Sequence, residues 1–333
     1  MKILFFLSGG HTLFSKEEVI SLLNAYGIKY EITYSEGQLL IIKFGNTNIN
    51  FLSRLGLTHF ILDIISDFVV DEKIDKILSE IQWDSYLRIE RTFKVRVKNK
   101  DDKEYGNLER TIAKSISNYF EHKIKADLTN PKDEIIGIVF KDRVYIGKKI
   151  FERNKKDFNK RKPQLRPFFS PTSIDPRIAR AMINISQAQK EILDPFAGTG
   201  GILIEAGLIG LDTYGLDIEE RSVTGTKINL SNYGIKNFDV RIGDARKIYD
   251  VFGREFESVV TDAPYGRSTK IDKDKEKMYR DCFISILESF KKRCVIGMDR
   301  LYPFDEMGFH IENIYSFRVH KSLTRHLHVL SRR

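Results

Sequence analysis

The segment Asp262-Ala263-Pro264-Tyr265-Gly266 combines residue types that could act on an aromatic amino group. Such an amine is a weak nucleophile because its lone pair is delocalised into the ring. The carboxylate of Asp262 and the main-chain carbonyl of Ala263 could accept its hydrogens and direct the lone pair outward. Pro264 would stiffen the turn, and Tyr265 would offer a flat face for stacking. The alternative is an ordinary strand-ending turn, because Asp, Pro and Gly are common in turns.

A glycine-rich turn lies upstream, between a predicted strand and a predicted helix. Residues 191–193 lead into Asp194-Pro195-Phe196-Ala197-Gly198-Thr199-Gly200-Gly201, and an apolar helical pattern starts at Ile202. Glycines let the backbone approach a ligand closely, and the start of the helix presents free N–H groups to it. A dinucleotide fingerprint would require a third glycine where Leu203 stands, so the pattern argues against a nicotinamide-dependent dehydrogenase.

Two more acidic residues follow predicted strands. Asp217 ends the run Thr213-Tyr214-Gly215-Leu216, where it could accept hydrogen bonds from ribose hydroxyls. Asp244 ends a third short strand, where it could accept from an adenine amino group. Each acid alone is typical of a solvated loop. Three acids at successive strand ends beside a glycine turn favour a nucleotide-like cofactor site.

Residues 163–333 resemble the class I S-adenosylmethionine-dependent methyltransferases, whose fold is α/β and Rossmann-like. Asp262 to Tyr265 match the family's (N/D)-P-P-Y amino-methylation motif, with Ala263 in place of the first proline. The resemblance implies that residues Asp194 to Gly201 hold the methionine part of S-adenosylmethionine. It also implies that Asp217 with Ile218 binds the ribose and Asp244 with Ala245 the adenine. The segment 166–180, with Thr172 and Ser173, resembles the lead-in that closes over the cofactor; alternatively, it is a proline-rich loop in which Ser173 or Asp175 caps a helix.

The preceding segment carries a basic strand. Phe93-Lys94-Val95-Arg96-Val97-Lys98 alternates apolar and basic residues, so Lys94, Arg96 and Lys98 should point away from the core. A helix with Leu108, Ile112, Ile116 and Phe120 on one side follows, and then two further strands. This order, with the step Asp127-Leu128-Thr129-Asn130-Pro131, resembles the THUMP domain, an RNA-binding module of tRNA-modifying enzymes. Basic alternating strands also occur as ordinary solvated sheet faces.

The first sixty residues predict a small α+β unit. Ile3–Leu7 reads as a strand, Ser15-Lys16-Glu17-Glu18 as a capping box opening a helix that ends at Gly27, and residues 28–34 and 38–44 as strands. This order is similar to the ferredoxin-like domain that precedes THUMP in such enzymes. The apolar run is too short for a signal peptide or a membrane span, so a cytoplasmic location without membrane contact is expected. Cys282 and Cys294 fit no metal spacing and predict reduced core residues, with no metal site.

Charge indicates where a nucleic acid would bind. The chain of 333 residues has a net charge of +9, and residues 141–166 hold eleven Lys and Arg against three Asp and Glu. A solvated linker is the alternative, but phosphate contact is favoured here. The predicted RNA-binding set is Lys94, Arg96, Lys98, Arg143, Lys148, Lys149, Lys155, Lys156, Arg161, Lys162 and Arg325. His326 and His328, in the predicted terminal hairpin, are expected to be surface histidines.

The whole order of segments resembles the archaeal tRNA guanine-N2 methyltransferases. It predicts a ferredoxin-like domain at 1–60, a THUMP domain at 61–150, a basic linker at 151–166 and a methyltransferase domain at 167–333. The resemblance implies transfer of one or two methyl groups from S-adenosylmethionine to the N2 amine of guanosine 10 of tRNA. A different tRNA position, ribosomal RNA or a noncatalytic tRNA-binding scaffold stay open as alternatives. The residues also leave open one methyl or two, the oligomeric state and an accessory subunit.

Overall fold

The computed structural model describes residues 1–70, 73–100, 107–170, 173–264, 273–320 and 323–333, except the side chains of 273–275 and 320. Its strands are β1 Lys2–Leu7, β2 Tyr30–Glu36, β3 Leu39–Phe44, β4 Thr58–Val69, β5 Phe93–Asn99, β6 Asp133–Phe140, β7 Arg143–Glu152, β8 Glu191–Asp194, β9 Asp212–Asp217, β10 Phe238–Ile242, β11 Ser258–Asp262, β12 Cys294–Met298, β13 Phe309–His320 and β14 Leu323–Arg332. Its α-helices are α1 Thr12–Ala25, α2 Ile74–Ser79, α3 Leu108–Tyr119, α4 Lys155–Lys160, α5 Pro176–Ile185, α6 Gly201–Gly207, α7 Glu220–Asn232, α8 Ile248–Phe252 and α9 Lys273–Leu287.

Two compact units are formed, and both are discontinuous in sequence. The first consists of Met1–Leu7, Tyr30–Asn48 and Thr58–Glu152, and the second of Ser8–Lys29, Ile49–Leu57 and Arg153–Arg333. The first sixty residues therefore contribute to both units. The division into four segments predicted from the sequence stays a prediction, although the strands of the first unit continue across residue 60 in one sheet.

The first unit is built on a seven-stranded sheet of order β2-β3-β1-β4-β7-β6-β5. Only β5 and β6 pair in parallel among its described strands. The long strand β4 joins the predicted ferredoxin-like strands to the THUMP strands because it pairs with both β1 and β7. Helix α3 buries Leu108, Ile112 and Ile116, as its periodicity predicts. Their cluster includes the fully buried Trp83, whose Nε1 donates to Ser115 Oγ at 3.1 Å.

The second unit is built on a seven-stranded sheet of order β10-β9-β8-β11-β12-β14-β13. Its first five strands run parallel, and β14 and β13 close the edge as an antiparallel hairpin. The direction of strand succession reverses between β8 and β11. Open α/β sheets bind ligands outside the carboxyl ends of their strands at such a switch point. The α/β, Rossmann-like architecture predicted for this part of the chain is therefore present.

Helix α1 belongs to the second unit, although it lies near the start of the chain. It begins at Thr12 and not at Ser15, so the predicted capping box is wrong: Ser15 lies inside the helix and donates to the carbonyl of His11 at 2.7 Å. Glu18 is fully buried and accepts from the backbone nitrogens of Gly56 and Leu57 and from Asn184 Nδ2. These charge-assisted bonds tie α1 to α5 and offset the desolvation that raises the pKa of Glu18.

Among the described residues, no helix is long and apolar enough to cross a membrane. Cys282 and Cys294 are both buried and unbridged, and burial raises the pKa of each thiol. They are therefore thiols at neutral pH. In the same described part of the chain, no group of three potential metal-ligating side chains comes together.

Candidate active site

Four acidic residues meet at one edge of the second unit's sheet. Asp194, Asp217 and Asp262 are the last residues of β8, β9 and β11, and Asp244 follows β10. Because these strands are parallel neighbours, their carboxyl ends open into one cleft of about 690 Å³. All four acids line this cleft. The structure thus brings Asp262 and Pro264, of the amine-type motif at residues 262–266, to the same site as the glycine turn.

The glycine turn has the backbone that its sequence predicts. Gly198 and Gly200 have φ angles of +53° and +76°, which side chains rarely tolerate. A Cβ at Gly200 would lie 2.7 Å from Thr226 Cγ2, so the turn also needs glycine there for space. Gly198 N donates to Asp217 Oδ2 at 2.8 Å, and Thr226 Oγ1 donates to the carbonyl of Gly198 at 2.9 Å. The turn is therefore fixed by the neighbouring strand and by α7 before any ligand binds.

Asp194 lies beneath this turn and is only 2% exposed. Its Oδ1 accepts from Thr261 Oγ1 at 2.6 Å and from Phe196 N at 3.1 Å. Burial, with a smaller contribution from the carboxylates of Asp262 and Asp217, raises the pKa of Asp194 to about 7, although the two hydrogen bonds oppose this rise. A positively charged ligand group in the cleft would favour the ionised form. Asp194 is thus suited to an ammonium or sulfonium ligand.

Asp217 and Asp244 are more accessible to solvent than Asp194. Asp217 also accepts from Glu219 N at 2.9 Å, and the adjacent Ile218 is 70% exposed. Asp244 pairs with Arg246, whose hydrogen bond lowers the pKa of the Asp244 carboxyl. Asp244 therefore presents an ionised carboxylate to the cleft at neutral pH, and the carboxyl oxygens of Asp217 line the cleft beside it. Ile218 and Ala245 add apolar surface beside them. This combination suits a nucleoside, with hydroxyl and amino donors on an apolar ring system.

The predicted lead-in segment covers the glycine turn. Asn229 is fully buried; its Oδ1 accepts from Phe168 N, and its Nδ2 donates to the carbonyls of Phe168 and Thr199. Ser173 Oγ lies 2.8 Å from Thr199 Oγ1, which links the segment to the turn a second time. Phe168 and Phe169 consequently line the cleft. Asp175 caps α5 by accepting from Arg177 N, with Pro176 in the first turn. Thr172 lies outside the described residues.

Strands β12 and β14 hold the side chain of Asp262 in place. Its Oδ2 is 2.8 Å from Arg325 Nη2 on β14, and its Oδ1 lies over Gly297 on β12. Ala263 N donates to the carbonyl of Gly297 at 3.0 Å, and the hydroxyl of Tyr279 donates to the carbonyl of Pro264. The Ala263 methyl is buried in the core, whereas Pro264 lines the cleft. Tyr265 lies outside the described residues.

The structure corrects the predicted surface position of Arg325. Its side chain is buried against Asp262, so it cannot serve as an exposed phosphate ligand. The buried pairing has no counterpart in local sequence, because residues 262 and 325 meet only through the strand order. The sequence interpretation also missed Gly297 and Asn229, and it included Phe168 in the lead-in segment without assigning it a contact.

The remaining basic residues of the second unit differ in exposure. Lys155, Lys156 and Lys162 are exposed. Arg161 instead donates from Nε to Oε1 of the fully buried Glu205 at 2.6 Å. Glu205 also pairs with Arg180, so the Arg161 side chain is engaged in an ion-pair network, and its predicted RNA contact stays a prediction. His328 is likewise buried and not a surface residue: it accepts from Tyr302 N through Nε2, and burial lowers its pKa to about 4.

In the first unit, the predicted basic residues other than Lys98 lie on the sheet with acidic partners. Arg96 pairs with Glu109 at 2.6 Å and Arg143 with Asp67 at 2.7 Å. Lys148 pairs with the buried Asp133 at 2.8 Å, and Lys94 and Lys149 flank Glu134. Lys98 is exposed and lies 5.7 Å from the centre of the Phe60 ring. Arg96 and Lys98 project as the strand alternation predicts, whereas Lys94 is half-buried.

Comparison with known proteins identifies two domain families in the chain. A THUMP domain model matches residues 70–149, and a model described as an RMKL-like methyltransferase domain matches residues 163–326. Tyr279, Arg325 and the four cleft acids fall within the second match. The THUMP match lies within the first unit, on the segment predicted from its strand order.

Relatives match over nearly the whole chain. The tRNA (guanine(10)-N2)-dimethyltransferase of Pyrococcus abyssi is 37% identical, with 90% of this chain and 92% of the relative covered. The protein of the same name from Methanothermobacter thermautotrophicus is 35% identical with both chains fully covered. Among solved structures, TrmN from Thermus thermophilus covers both chains fully with a TM-score of 0.59 and 17% identity, which supports the fold alone.

Proposed function

Because the chain belongs to the family of the archaeal tRNA (guanine(10)-N2)-dimethyltransferases, we propose that it methylates the N2 amine of guanosine 10 in tRNA. The methyl donor in this proposal is S-adenosylmethionine. One observation carries the chemistry: Asp262 of the amine-type motif lines the same cleft as the glycine turn and the three other strand-end acids. A methyl donor and an amine held there would be adjacent.

The residues that line the cleft support S-adenosylmethionine as the methyl donor. The left-handed Gly198 faces open space, because a Cβ there would meet only the carbonyl of Phe196 within 4 Å, at 3.9 Å. The buried carboxyl of Asp194 suits the ammonium group, Asp217 the ribose hydroxyls and Asp244 the adenine amine. Phe168, Ile218 and Ala245 supply apolar surface for the ring. When bound, the cofactor would supply an electrophilic methyl group, whose bond to the sulfonium sulfur would break with the electron pair left on sulfur as a neutral thioether.

The chain's own residues prepare the amine and handle its proton. Asp262 accepts hydrogen bonds from the N2 amine, which directs the nitrogen lone pair towards the methyl carbon. As the new carbon–nitrogen bond forms, the nitrogen becomes positively charged and one of its hydrogens becomes acidic. That proton leaves to Asp262 or to water, so the product amine is neutral. The singly methylated amine keeps one hydrogen, and the same residues can present it for a second transfer.

Recognition of tRNA is assigned to surfaces of both units. Folded RNA is recognised mainly through its shape and phosphates, and a reacting base is swung out of its stack. In the first unit, the exposed Arg96 and Lys98 lie on the THUMP strand β5. In the second unit, Lys155, Lys156 and Lys162 are exposed around α4. These cations are the proposed phosphate contacts.

Methyl transfer to defined tRNA transcripts tests the proposal. An unmodified transcript with guanosine at position 10 should accept methyl groups from labelled S-adenosylmethionine. A matched transcript with inosine at that position lacks only the exocyclic amine and should accept none. Equal labelling of both transcripts would place the reaction at another nucleotide. No labelling of either, with intact cofactor binding, would favour a noncatalytic scaffold.

Asp262 variants test the catalytic assignment in the same assay. Asp262→Asn keeps one acceptor oxygen but loses the charge, whereas Asp262→Ala loses both. A proton-accepting role predicts a loss of about 10²–10⁴-fold in the single-turnover rate for both variants. An orienting role predicts that Asn retains much of the rate. We expect Asn to be slower than the parent and Ala slower still; wild-type turnover in Asp262→Ala would remove this motif from the site.

A further inference from the structure

The ion pair between Asp262 and Arg325 lies where most solvent is excluded. Arg325 is 4% exposed, and its Nη2 is 2.8 Å from Asp262 Oδ2 at the floor of the cleft. Buried ion pairs contribute little net stability, because desolvation of both charges opposes their attraction. Two apolar side chains would fill the same space at no such cost. The pair therefore calls for an explanation in terms of the chemistry of Asp262.

Gly297 lets this pair form. Strand β12 runs between β11 and β14, and Gly297 stands in register with Asp262 on one side and Leu327 on the other. A Cβ at residue 297 would overlap Oδ1 of Asp262. The carboxylate thus lies across the backbone of β12, where any other residue would displace it. Space, and not backbone conformation, is the reason for glycine here.

We propose that Arg325 and Gly297 are positioning residues for methyl transfer, which together fix the Asp262 carboxylate in the ionised form and in the orientation that accepts the amine hydrogens. The inference rests on the proposed function. Each carboxylate oxygen has two lone-pair directions, so an oxygen bound to a guanidinium can still accept from an amine. Gly297 sets where the carboxylate lies, and Arg325 sets its charge and rotation.

Charge makes the role of Arg325 measurable. Asp194 on β8 is a second carboxyl that acts on Asp262 electrostatically, and it opposes a negative charge there. Arg325 on β14 offsets that repulsion, β12 contributes the uncharged Gly297, and Tyr279 of α9 binds the neighbouring Pro264 carbonyl. Without the guanidinium, protonation of Asp262 becomes easier. A protonated acid loses acceptor capacity, so methyl transfer should fail first at low pH.

The test compares Arg325→Met, Arg325→Lys and Gly297→Ala with two matched controls in the full-length protein. Arg332→Met removes an arginine from the same strand, one that binds Glu255 and the carbonyl of Leu287. Gly10→Ala adds a methyl group where nothing lies within 4 Å. Single-turnover methylation of the guanosine-10 transcript is measured across about pH 6 to 9, where general acid–base groups titrate. Calorimetry of S-adenosylmethionine binding and tRNA binding report on the fold independently of turnover.

The proposal predicts a different pattern for each variant. Arg325→Met should lower the rate by about 10²-fold at neutral pH, and its acid limb should move to higher pH. Arg325→Lys, which keeps the charge, should recover most of the rate and the wild-type limb. Gly297→Ala should lower the rate by a similar factor, about 10²-fold, at every pH, because it displaces the carboxylate without removing the cation. All three should bind cofactor and tRNA as the controls do.

Two results would overturn the inference. One is wild-type rates and an unmoved acid limb in both Arg325→Met and Gly297→Ala. The other is a loss of rate that follows a loss of cofactor affinity at unchanged pH dependence, which would mean that the pair is merely structural. The wild-type protein separates this failure from that of the proposed function: if it methylates the transcript, only the positioning role is at issue.

Discussion

Asp194→Asn should stabilise the free protein at neutral pH while weakening its hold on the cofactor. Both donors to the Asp194 side chain, Thr261 Oγ1 and Phe196 N, bind Oδ1. An asparagine can offer its amide oxygen to these donors and place its amide nitrogen where Oδ2 stands. The substitution therefore removes the charge and keeps the shape and the hydrogen bonds.

The magnitude follows from the titration of this carboxyl. Its pKa is raised from 3.8 to about 7 by burial. Below both values the carboxyl is protonated in the folded and unfolded states, and it contributes no difference. Between them the folded state holds a proton that the unfolded state has released, so the folded state loses stability as pH rises. Three pKa units at 1.36 kcal/mol each give up to about 4 kcal/mol at pH 7 and above.

The assay is urea unfolding of both proteins from about pH 4 to pH 8 without cofactor, read as the difference in unfolding free energy. Asp194→Asn should match the wild type near the acid end and exceed it progressively towards neutral pH. Cofactor affinity of the variant should fall, since an ammonium ligand loses its charged partner. A flat difference curve would show that burial does not destabilise the ionised form of Asp194.

Four further predictions follow from contacts in the second unit. Asp217→Ala should weaken S-adenosylmethionine binding by about 1.5–3 kcal/mol, the size of a charged hydrogen bond, and unchanged calorimetric affinity in a folded variant would remove Asp217 from the site. A second set of variants replaces the exposed cations around α4, Lys155, Lys156 and Lys162, by glutamine. In a plot of the logarithm of the tRNA binding constant against the logarithm of salt concentration, each lost phosphate contact should reduce the slope by about 0.7–0.9. An unchanged slope would mean that these lysines are solvated and do not contact tRNA. Arg161→Gln should instead destabilise the fold, because it leaves the buried Glu205 with one cation fewer. His328→Gln should make the protein less sensitive to acid. Burial lowers the pKa of His328 from 6.5 to about 4, so the folded wild type loses stability as the pH falls below 6.5. Equal acid unfolding of both proteins would contradict this.

Patterns of neighbouring residues in the sequence were enough to predict much of the second unit. The glycine turn and the strand-end acids Asp194, Asp217 and Asp244 are contiguous signals, because a parallel strand and the turn after it are neighbours in sequence. The helix periodicity of α3 and the capping of α5 by Asp175 are equally local. The parallel order of β8 to β12 then places these signals at one edge without further information.

Contacts between distant segments could not be predicted in the same way. Arg325 reaches Asp262 across β12, and only the strand order reveals this contact. From the sequence alone, Arg325 is therefore interpreted as an RNA ligand. Arg161 was counted in a basic run, although Glu205 neutralises it from α6. Helix α1 was assigned to an N-terminal module because the partners of Glu18, at Gly56 and Asn184, are far away in sequence. Charge counts and periodicity do not record such partners.

Mapping of methylated nucleosides by mass spectrometry shows which nucleotide of tRNA the protein methylates. An unmodified tRNA transcript is incubated with the protein and S-adenosylmethionine, digested into fragments and compared with a reaction containing Asp262→Ala. The proposed function predicts N2-methylguanosine or N2,N2-dimethylguanosine in the fragment that carries position 10, and neither with the variant. Methylation confined to another position, or no methylation by the wild-type protein while it binds both tRNA and cofactor, would contradict it.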